Sequence, residues 1–478
     1  MERLLKFLEK KGLFWGVAFL LFFIPIYPKF PLLSVTGTYV AVRLEDLLVA
    51  LILAIWVIWV IKRKGKKFFQ ERLTQLFLLY FLVGGFSVVS ALFITKNIVP
   101  YIAVLHFVRR IEYMSLFFVA YDALRRVKDI KFFATSLGLA TLGVFIYGMG
   151  QKFFGWPVVS TMNKEFSKGL MLKLTWWARV NSTFAGHYDL AAFLVLFLCL
   201  SISFLVAVQK RRTKVLIFLL ILASYYLLVL TASRISFAAY ILAVVFLLPS
   251  LGKKWWVGPV VALSIAGMLL SADISQRYAS TFNIDLSFLS GVVKVGPPKV
   301  VIAPTLTPTP SLQLVGPVIK RPKGEPEPTL TPTSTPTPIP PSEPVEPTEM
   351  AVARSTDIRF KVEWPRALRA FAKNPLLGTG YSSITLATDN DYLRMLGETG
   401  ILGTLAFLAI FLEIGRRVLV FWQKVKPDFE KTVVLGISAA AFGFFLNAGF
   451  IDVFEASKIA FIFWILMGAM VKIIDLKS

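Results

Sequence analysis

What most constrains this chain is a repeating feature. A dozen apolar runs of 14 to 24 residues follow one another between residues 13 and 474, separated by clusters of lysine and arginine. About 20 apolar residues in a helix span the roughly 30 Å of a bilayer's hydrocarbon. Backbone polar groups find no water there, so such runs must cross as helices that satisfy their own hydrogen bonds. Composition agrees: 56% of the 478 residues are apolar and 17% charged, against about 45–50% and about 25% in soluble domains. The expected fold is therefore an all-α polytopic membrane protein with about twelve transmembrane helices.

Orientation follows from where the cations sit, because lysine and arginine gather at cytoplasmic helix ends. Arg3, Lys6, Lys10 and Lys11 precede the first run, 13–33, which is too long for a cleaved signal peptide and reads as an anchor. The second run, 44–61, returns to the dense cluster Lys62, Arg63, Lys64, Lys66 and Lys67. Runs at 73–94, 98–121, 132–150, 188–208, 215–232, 235–248 and 257–271 then alternate, with basic connections at 125–131, 210–214 and 253–254 all on the cytoplasmic side. A tenth run begins near residue 399, and two more at 433–450 and 459–474 leave both termini cytoplasmic. The localisation expected is the cytoplasmic (inner) membrane, multi-pass. A formal charge of +24 is thereby absorbed mainly as orientation signals, which argues against nucleic acid as a partner and leaves membrane lipids as one. A single cysteine, Cys199, and two histidines exclude a disulfide framework and a His- or Cys-rich metal site.

This topology divides the chain into a membrane domain at 1–271 with an outer loop at 151–186, a large extracytoplasmic loop at 272–398, and final helices at 399–478. The outer loop carries Trp156, Trp176, Trp177 and Arg179. Inside the large loop, 304–348 is rich in Thr-Pro repeats, whose prolines favour extended chain and cannot pack a core. After that spacer, 355–373 has the mixed helical spacing of a short amphipathic helix on the outer membrane face, divided by Pro365.

Charges near mid-bilayer are costly and by default face a cavity or a partner. The fourth run places His106, Arg109, Arg110 and Glu112 near its middle. Arg109 and Glu112, three apart, can pair on one helix face and leave Arg110 for an anionic ligand; the alternative is a purely structural ion-pair network. Arg179 and Arg234 both fall at the outer surface. Two guanidiniums there can hold phosphate oxygens in bidentate fashion, or can simply anchor the interface. His187 and Asp189 follow Arg179, and Asp389, Asn390, Asp391 and Tyr392 precede the tenth run.

The stretch 374–403, NPLLGTGYSSITLATDNDYLRMLGETGILG, resembles the O-antigen ligase/polymerase family, in which a Pro-Leu-x-Gly-x-Gly turn, a His-Asn-x-Tyr-Leu motif and a Glu-x-Gly-x-x-Gly helix start occur in that order. Pro375, Leu376, Gly378 and Gly380 match the first, Asn390, Tyr392 and Leu393 the second, and Glu398, Gly400 and Gly403 the third. Ser233-Arg234 resembles the family's Ser-Arg signature, and Arg179 with Ser182, Thr183 and Phe184 its Arg-x-x-Ser-Thr-Phe signature. The resemblance implies transfer of a glycan from an undecaprenyl-pyrophosphate carrier to a glycan, lipid or protein acceptor hydroxyl, without cofactor or metal. It implies pyrophosphate binding by Arg179 and Arg234, with Asn390 and Tyr392 in support; Arg110, read from its mid-bilayer position, is a further supporting candidate. The sequence departs from the family at the base, because Asp389 occupies the histidine position; Asp389 and His187 are both candidates for it. Ligase, polymerase and protein O-oligosaccharyltransferase remain open. A transporter or flippase of lipid-linked saccharides is the alternative from another class. Its two six-span halves should show a repeat and commonly a long central cytoplasmic link, whereas the link after the sixth run here is only 209–214 and no repeat is visible.

Overall fold

A computed structural model of the chain describes residues 11–34, 41–96, 98–159, 172–174, 178–269, 358–384, 388–426 and 428–477. The chain divides into one unit of Met1–Ile284 with Ala353–Ser478 and a second of Asp285–Val352. That second unit, the Thr/Pro spacer at 304–348, and Trp176 and Trp177 lie outside the described residues.

Although in the first apolar run, 13–33, the helix ends at Ile26 and Pro31–Ser34 is a strand, each apolar run of the sequence contains a helix. In chain order these are α1 (Leu13–Ile26), α2 (Leu44–Arg63), α3 (Arg72–Ser90), α4 (Pro100–Ala123), α5 (Ile130–Phe154), α6 (His187–Ala207), α7 (Arg211–Leu230), α8 (Arg234–Ser250) and α9 (Val257–Leu269). After them come the short α10 (Trp364–Lys373), then α11 (Asp391–Lys424), α12 (Phe429–Ala448) and α13 (Ser457–Lys477). Among the described residues, eight helices are long and apolar enough to cross a membrane: α2, α3, α5, α6, α7, α11, α12 and α13. The molecule is thus an all-α polytopic membrane protein. The 24-residue α4 carries Arg109, Arg110 and Glu112 near its middle, while α1, α8 and α9 are apolar but shorter, at 14, 17 and 13 residues.

Burial sorts the bundle into centre and periphery. In α6 and α13, 78% and 83% of the most apolar stretch is buried, against 22% in α7 and 28% in α2. A helix that is apolar all round belongs in a core or in lipid, and here both environments are used. The central α6 packs on α12, α7 and α8, and α13 packs on α4. Helix starts follow ordinary capping rules: Ser233 accepts from Ser236 N, Asn390 from Leu393 N and Asp428 from Lys431 N. Two short antiparallel ribbons, Pro31–Ser34 with Ala41–Arg43 and Pro157–Val158 with Leu172–Lys173, lie in the α1–α2 and α5–α6 connections.

Two segments differ from the sequence expectation. The amphipathic stretch is a π-helical turn, Arg359–Glu363, followed by α10, with Pro365 in the first turn of α10 where its missing N–H costs nothing. α10 packs against α11, burying Ala367. The tenth span was expected from residue 399, but the helix begins at Asp391 and is broken at Gly400, where φ is 65° and ψ −168°. The break is filled by the Pro375–Gly380 loop. Thr379 N donates to Gly397 O and Gly380 N to Glu398 O, both at 2.9 Å, while Ile401 N donates to Pro375 O at 2.9 Å and Leu402 N to Leu376 O at 3.2 Å. A broken membrane helix is tolerated when neighbouring protein satisfies the freed groups in this way.

The interlock requires glycine at both faces. A Cβ on Gly400 would lie 2.4 Å from Leu376 O, and one on Gly378, itself at φ +69°, would lie 2.4 Å from the Glu398 carbonyl carbon. We expect Gly400→Ala to cost at least about 1–3 kcal/mol through backbone strain and to lower the melting temperature of the purified protein, measured by fluorescence-detected gel filtration. Gly415→Ala, a helical site with open space around it, should melt at or above the wild-type temperature.

Candidate functional site

Most of the residues singled out by the sequence sit where helices begin and end, while Arg110 lies near the middle of α4. The first group precedes α6. Arg179 is half-buried, and its Nη1 lies 2.5 Å from Nε2 of His187, the first residue of α6. If Arg179 donates, the imidazole nitrogen facing it is the unprotonated one and its lone pair is taken. The chain between them is fixed from several sides. Val180 N donates to Leu230 O at the end of α7, Ser182 Oγ to Val144 O, and Thr183 Oγ1 to Pro25 O at 3.3, 2.7 and 2.5 Å. Ser182 and Thr183 are buried, so these motif residues hold the loop and do not face solvent.

Lys458 is the cation that makes this loop possible. It is fully buried, and its ammonium donates to Pro25 O, Tyr27 O and Thr183 O at 3.3, 2.5 and 2.9 Å, with the Phe184 ring 4.9 Å away. Pro25 and Tyr27 lie at the end of α1, where terminal carbonyls have no helical partner and attract cations. One side chain thus ties α1, the Arg179–His187 loop and α13 together. Beside it Lys29 lies 3.7 Å from Asp189, and Arg43 lies 3.7 Å from Glu45 and 3.3 Å from Ser457 Oγ. Burial, followed by the nearby Arg43 charge, brings the Lys29 ammonium down to about 8.

The second group opens α8. Arg234 is its first residue and is half-buried, while Ser233 caps the helix. Ser236 Oγ donates to Asn447 Oδ1 at 2.7 Å, fastening this start to the end of α12. Since Val180 is bonded to Leu230, four residues before Arg234, the first two groups share the α7–α8 corner.

The third group precedes α11. Asp389 has a left-handed backbone, φ +49°, and its Oδ2 accepts from Arg359 Nε at 3.0 Å and Nη2 at 2.8 Å. Burial pushes this carboxyl up from the ordinary aspartate value, while the Arg359 guanidinium opposes the shift. Nearby Glu363 is raised to about 7 by burial and then by the Asp389 charge. Thr388 N and Asn390 N, on either side of Asp389, both donate to Asp452, at 3.0 and 3.2 Å. Asp452 also lies 3.3 Å from Arg394 Nη2. The expected supporting residues have other engagements: Asn390 spends its side chain as the α11 cap, and Tyr392 donates its hydroxyl to Phe445 O at 2.8 Å. Through Phe445 and Asn447, the last turns of α12 touch both the second and third groups.

The fourth-run charges pair differently from expectation. Arg109 bonds Asp46 at 2.9 Å, not Glu112. Arg110, expected to be available for an anion, is buried and donates to Phe454 O at 3.2 Å and to Glu455. Helix spacing alone favoured an intrahelical pair, but carboxylates brought in by the α2 start and the 449–456 turn won because they neutralise the same cations across elements. Lys29, Arg43, Arg359, Asp452 and Lys458 were not anticipated as part of the site. Their only sequence signal is a charge beside an apolar run, which a solvated end would show equally.

Residues 218–408 match the family model described as O-antigen ligase. Over that segment the chain is similar to the O-antigen ligase family, and the similarity supports glycan transfer of that general kind. The match runs from α7 to within α11 and so includes Arg234, Asp389, Asn390 and Tyr392; Arg179 and His187 precede it. No curated protein matches the chain.

Replacing Lys458 by methionine strands three carbonyl acceptors. At about 1–3 kcal/mol for a buried group left unpaired, Lys458→Met should melt well below wild type in detergent, whereas exposed Lys128→Met should not.

Proposed function

We propose that this protein transfers a glycan from an undecaprenyl-pyrophosphate carrier to an acceptor hydroxyl at the outer face of the cytoplasmic membrane. In this reading twelve helices cross that membrane and both termini are cytoplasmic. The observation that carries it is the clustering of Arg179, Arg234 and the Asp389 loop around shared helix ends, within a chain whose 218–408 segment matches the O-antigen ligase family.

The chemistry is a single displacement. Asp389 takes the proton of the acceptor hydroxyl, the hydroxyl oxygen bonds to the anomeric carbon of the donor sugar, and the bond from that carbon to the pyrophosphate oxygen breaks. Undecaprenyl pyrophosphate departs with the electron pair. Arg179 and Arg234 stabilise the charge that grows on it, the role an electrostatic clamp performs best in a site that excludes water. Pyrophosphate is a good leaving group, so the step is formulated without a metal. Asp389 and Asp391 have the spacing of a metal-binding pair, but Asp389 is held by Arg359 and Asp391 accepts from Phe454 N at 3.0 Å. Asp389 is preferred to His187 as base because a carboxyl raised by burial is better suited to accept a proton near neutrality, whereas the His187 nitrogen facing Arg179 is already engaged.

Purified protein incubated with a lipid-pyrophosphate oligosaccharide and candidate acceptors should lose about 10²–10³-fold in transfer rate in Arg179→Ala or Arg234→Ala, and about 10²–10⁴-fold in Asp389→Asn. Undiminished transfer by both arginine variants refutes the clamp, and chelator-sensitive transfer refutes the metal-free formulation. Topology is tested separately in a Cys199→Ser background. A membrane-impermeant thiol reagent applied to intact spheroplasts should label Lys173→Cys, and should spare Lys66→Cys and Lys210→Cys until the membrane is opened.

A further inference from the structure

Asp389 is the one place where the chain departs from the family motif it otherwise follows. A carboxylate in place of an imidazole alters two things at once: it is shorter, so its position matters more, and it is anionic beside a donor that is also anionic. The structure surrounds this residue with two groups from distant parts of the chain that answer both problems. Arg359, itself buried, delivers both of its hydrogen bonds to the same carboxylate oxygen, Oδ2, at 3.0 and 2.8 Å. Among the described residues no hydrogen bond reaches Oδ1, and the Asp389 side chain keeps 28% of its exposure. Oδ1 is therefore the oxygen left for a proton.

The second group acts on the backbone. Asp452, in the turn between α12 and α13, accepts Thr388 N on Oδ2 at 3.0 Å and Asn390 N on Oδ1 at 3.2 Å. One carboxylate thereby bridges the amides flanking Asp389, whose φ of +49° lies in a region that non-glycine residues enter only when their surroundings hold them there. Arg394 Nη2, 3.3 Å from Asp452 Oδ2, balances the charge of the bridge.

We propose that Arg359 and Asp452 are positioning residues for the transfer reaction: Asp452 sets the backbone that aims Asp389, and Arg359 fixes its carboxylate so that Oδ1 faces the acceptor hydroxyl. The proposal rests on the reading of Asp389 as the base. The charged groups around Asp389 are Arg359 and Glu363 from the turn before α10, Arg394 on α11 and Asp452 from the α12–α13 turn. Their signs fix the outcome of removing each. Without the Arg359 cation the carboxyl holds its proton more tightly; without the Asp452 anion it holds it less tightly.

The test is the pH dependence of transfer by the full-length protein in lipid nanodiscs, with a lipid-pyrophosphate oligosaccharide as donor. A base must be ionised, so activity falls as pH drops through the Asp389 pKa. In Arg359→Ala this acid limb should move to higher pH by about one unit or more, with kcat reduced and KM for the donor unchanged. In Asp452→Asn the limb should move to lower pH, again with reduced kcat. Arg359→Lys keeps the charge but not the fork; its limb should stay close to wild type while kcat falls, and it carries the test if the alanine variant does not assemble. Limbs unmoved in Arg359→Ala and Asp452→Asn, or a wild-type kcat in Arg359→Lys, overturn the positioning proposal while Asp389→Asn remains inactive. Full transfer by Asp389→Asn overturns the base reading itself, and the positioning proposal with it.

Discussion

Hydrocarbon supplies no hydrogen bonds, and this protein's architecture follows from how it meets that constraint where regular helix stops. The α11 helix is interrupted at Gly400, and the amides and carbonyls on either side are taken up by the Pro375–Gly380 loop through four backbone bonds. The end of α1 and the Thr183 carbonyl are likewise taken up by the ammonium of Lys458. In both places one buried device joins a membrane helix to a loop that bears candidate site residues. Loops elsewhere on protein surfaces are satisfied by water and tolerate movement; these have their backbone bonds made by protein.

That constraint also explains why motif residues divide into those buried in the framework and those that keep partial exposure. Ser182, Thr183, Asn390 and Tyr392 spend their polar atoms on backbone partners, and Gly378 and Gly400 are needed for close approach. Arg179, Arg234 and Asp389 keep partial exposure. On the proposed reading, a pyrophosphate meets the two half-buried guanidiniums of Arg179 and Arg234, the first of them held by His187. Placing an anionic base near an anionic donor is unfavourable unless cations offset it, and here Arg359 bonds the Asp389 carboxylate while Arg394 pairs with Asp452.

Much of the fold was legible because hydropathy and cation placement are read directly from the chain. Each apolar run contains a helix, though the first ends at Ile26 and not near 33, the charged middle of α4 did turn inward, and the three motif segments fell within or beside the 218–408 family match. What was not legible depends on contacts between distant positions. That Arg110 would meet Glu455, that Arg109 would prefer Asp46 to Glu112, and that Asp452 would bridge the amides beside Asp389 are decisions made by packing across 62 to 345 positions. Local spacing proposed the intrahelical pair because i, i+3 neighbours are the ones a sequence displays. Gly400 was read as part of a helix start, yet it is a break, because only the facing loop reveals that the chain there needs a positive φ.

The same long-range logic bears on the substitution at Asp389. A histidine at this position could serve as a neutral base with little support, since its unperturbed pKa already lies near 6.5. A carboxyl begins near 3.9, so it must be raised to be an effective base near neutrality yet must not be stranded as an uncompensated buried charge. Burial supplies the first effect and Arg359 prevents the second. Too strong an ion pair would return the carboxyl to its solution value or below; too weak a one would leave it protonated and inert. The arrangement places both guanidinium bonds on Oδ2, which concentrates compensation on one oxygen and leaves basicity on the other. On the proposed reading, Asp389 stands where the resemblance expects a histidine, and burial with a one-sided arginine contact is what a carboxylate would need to act as base there.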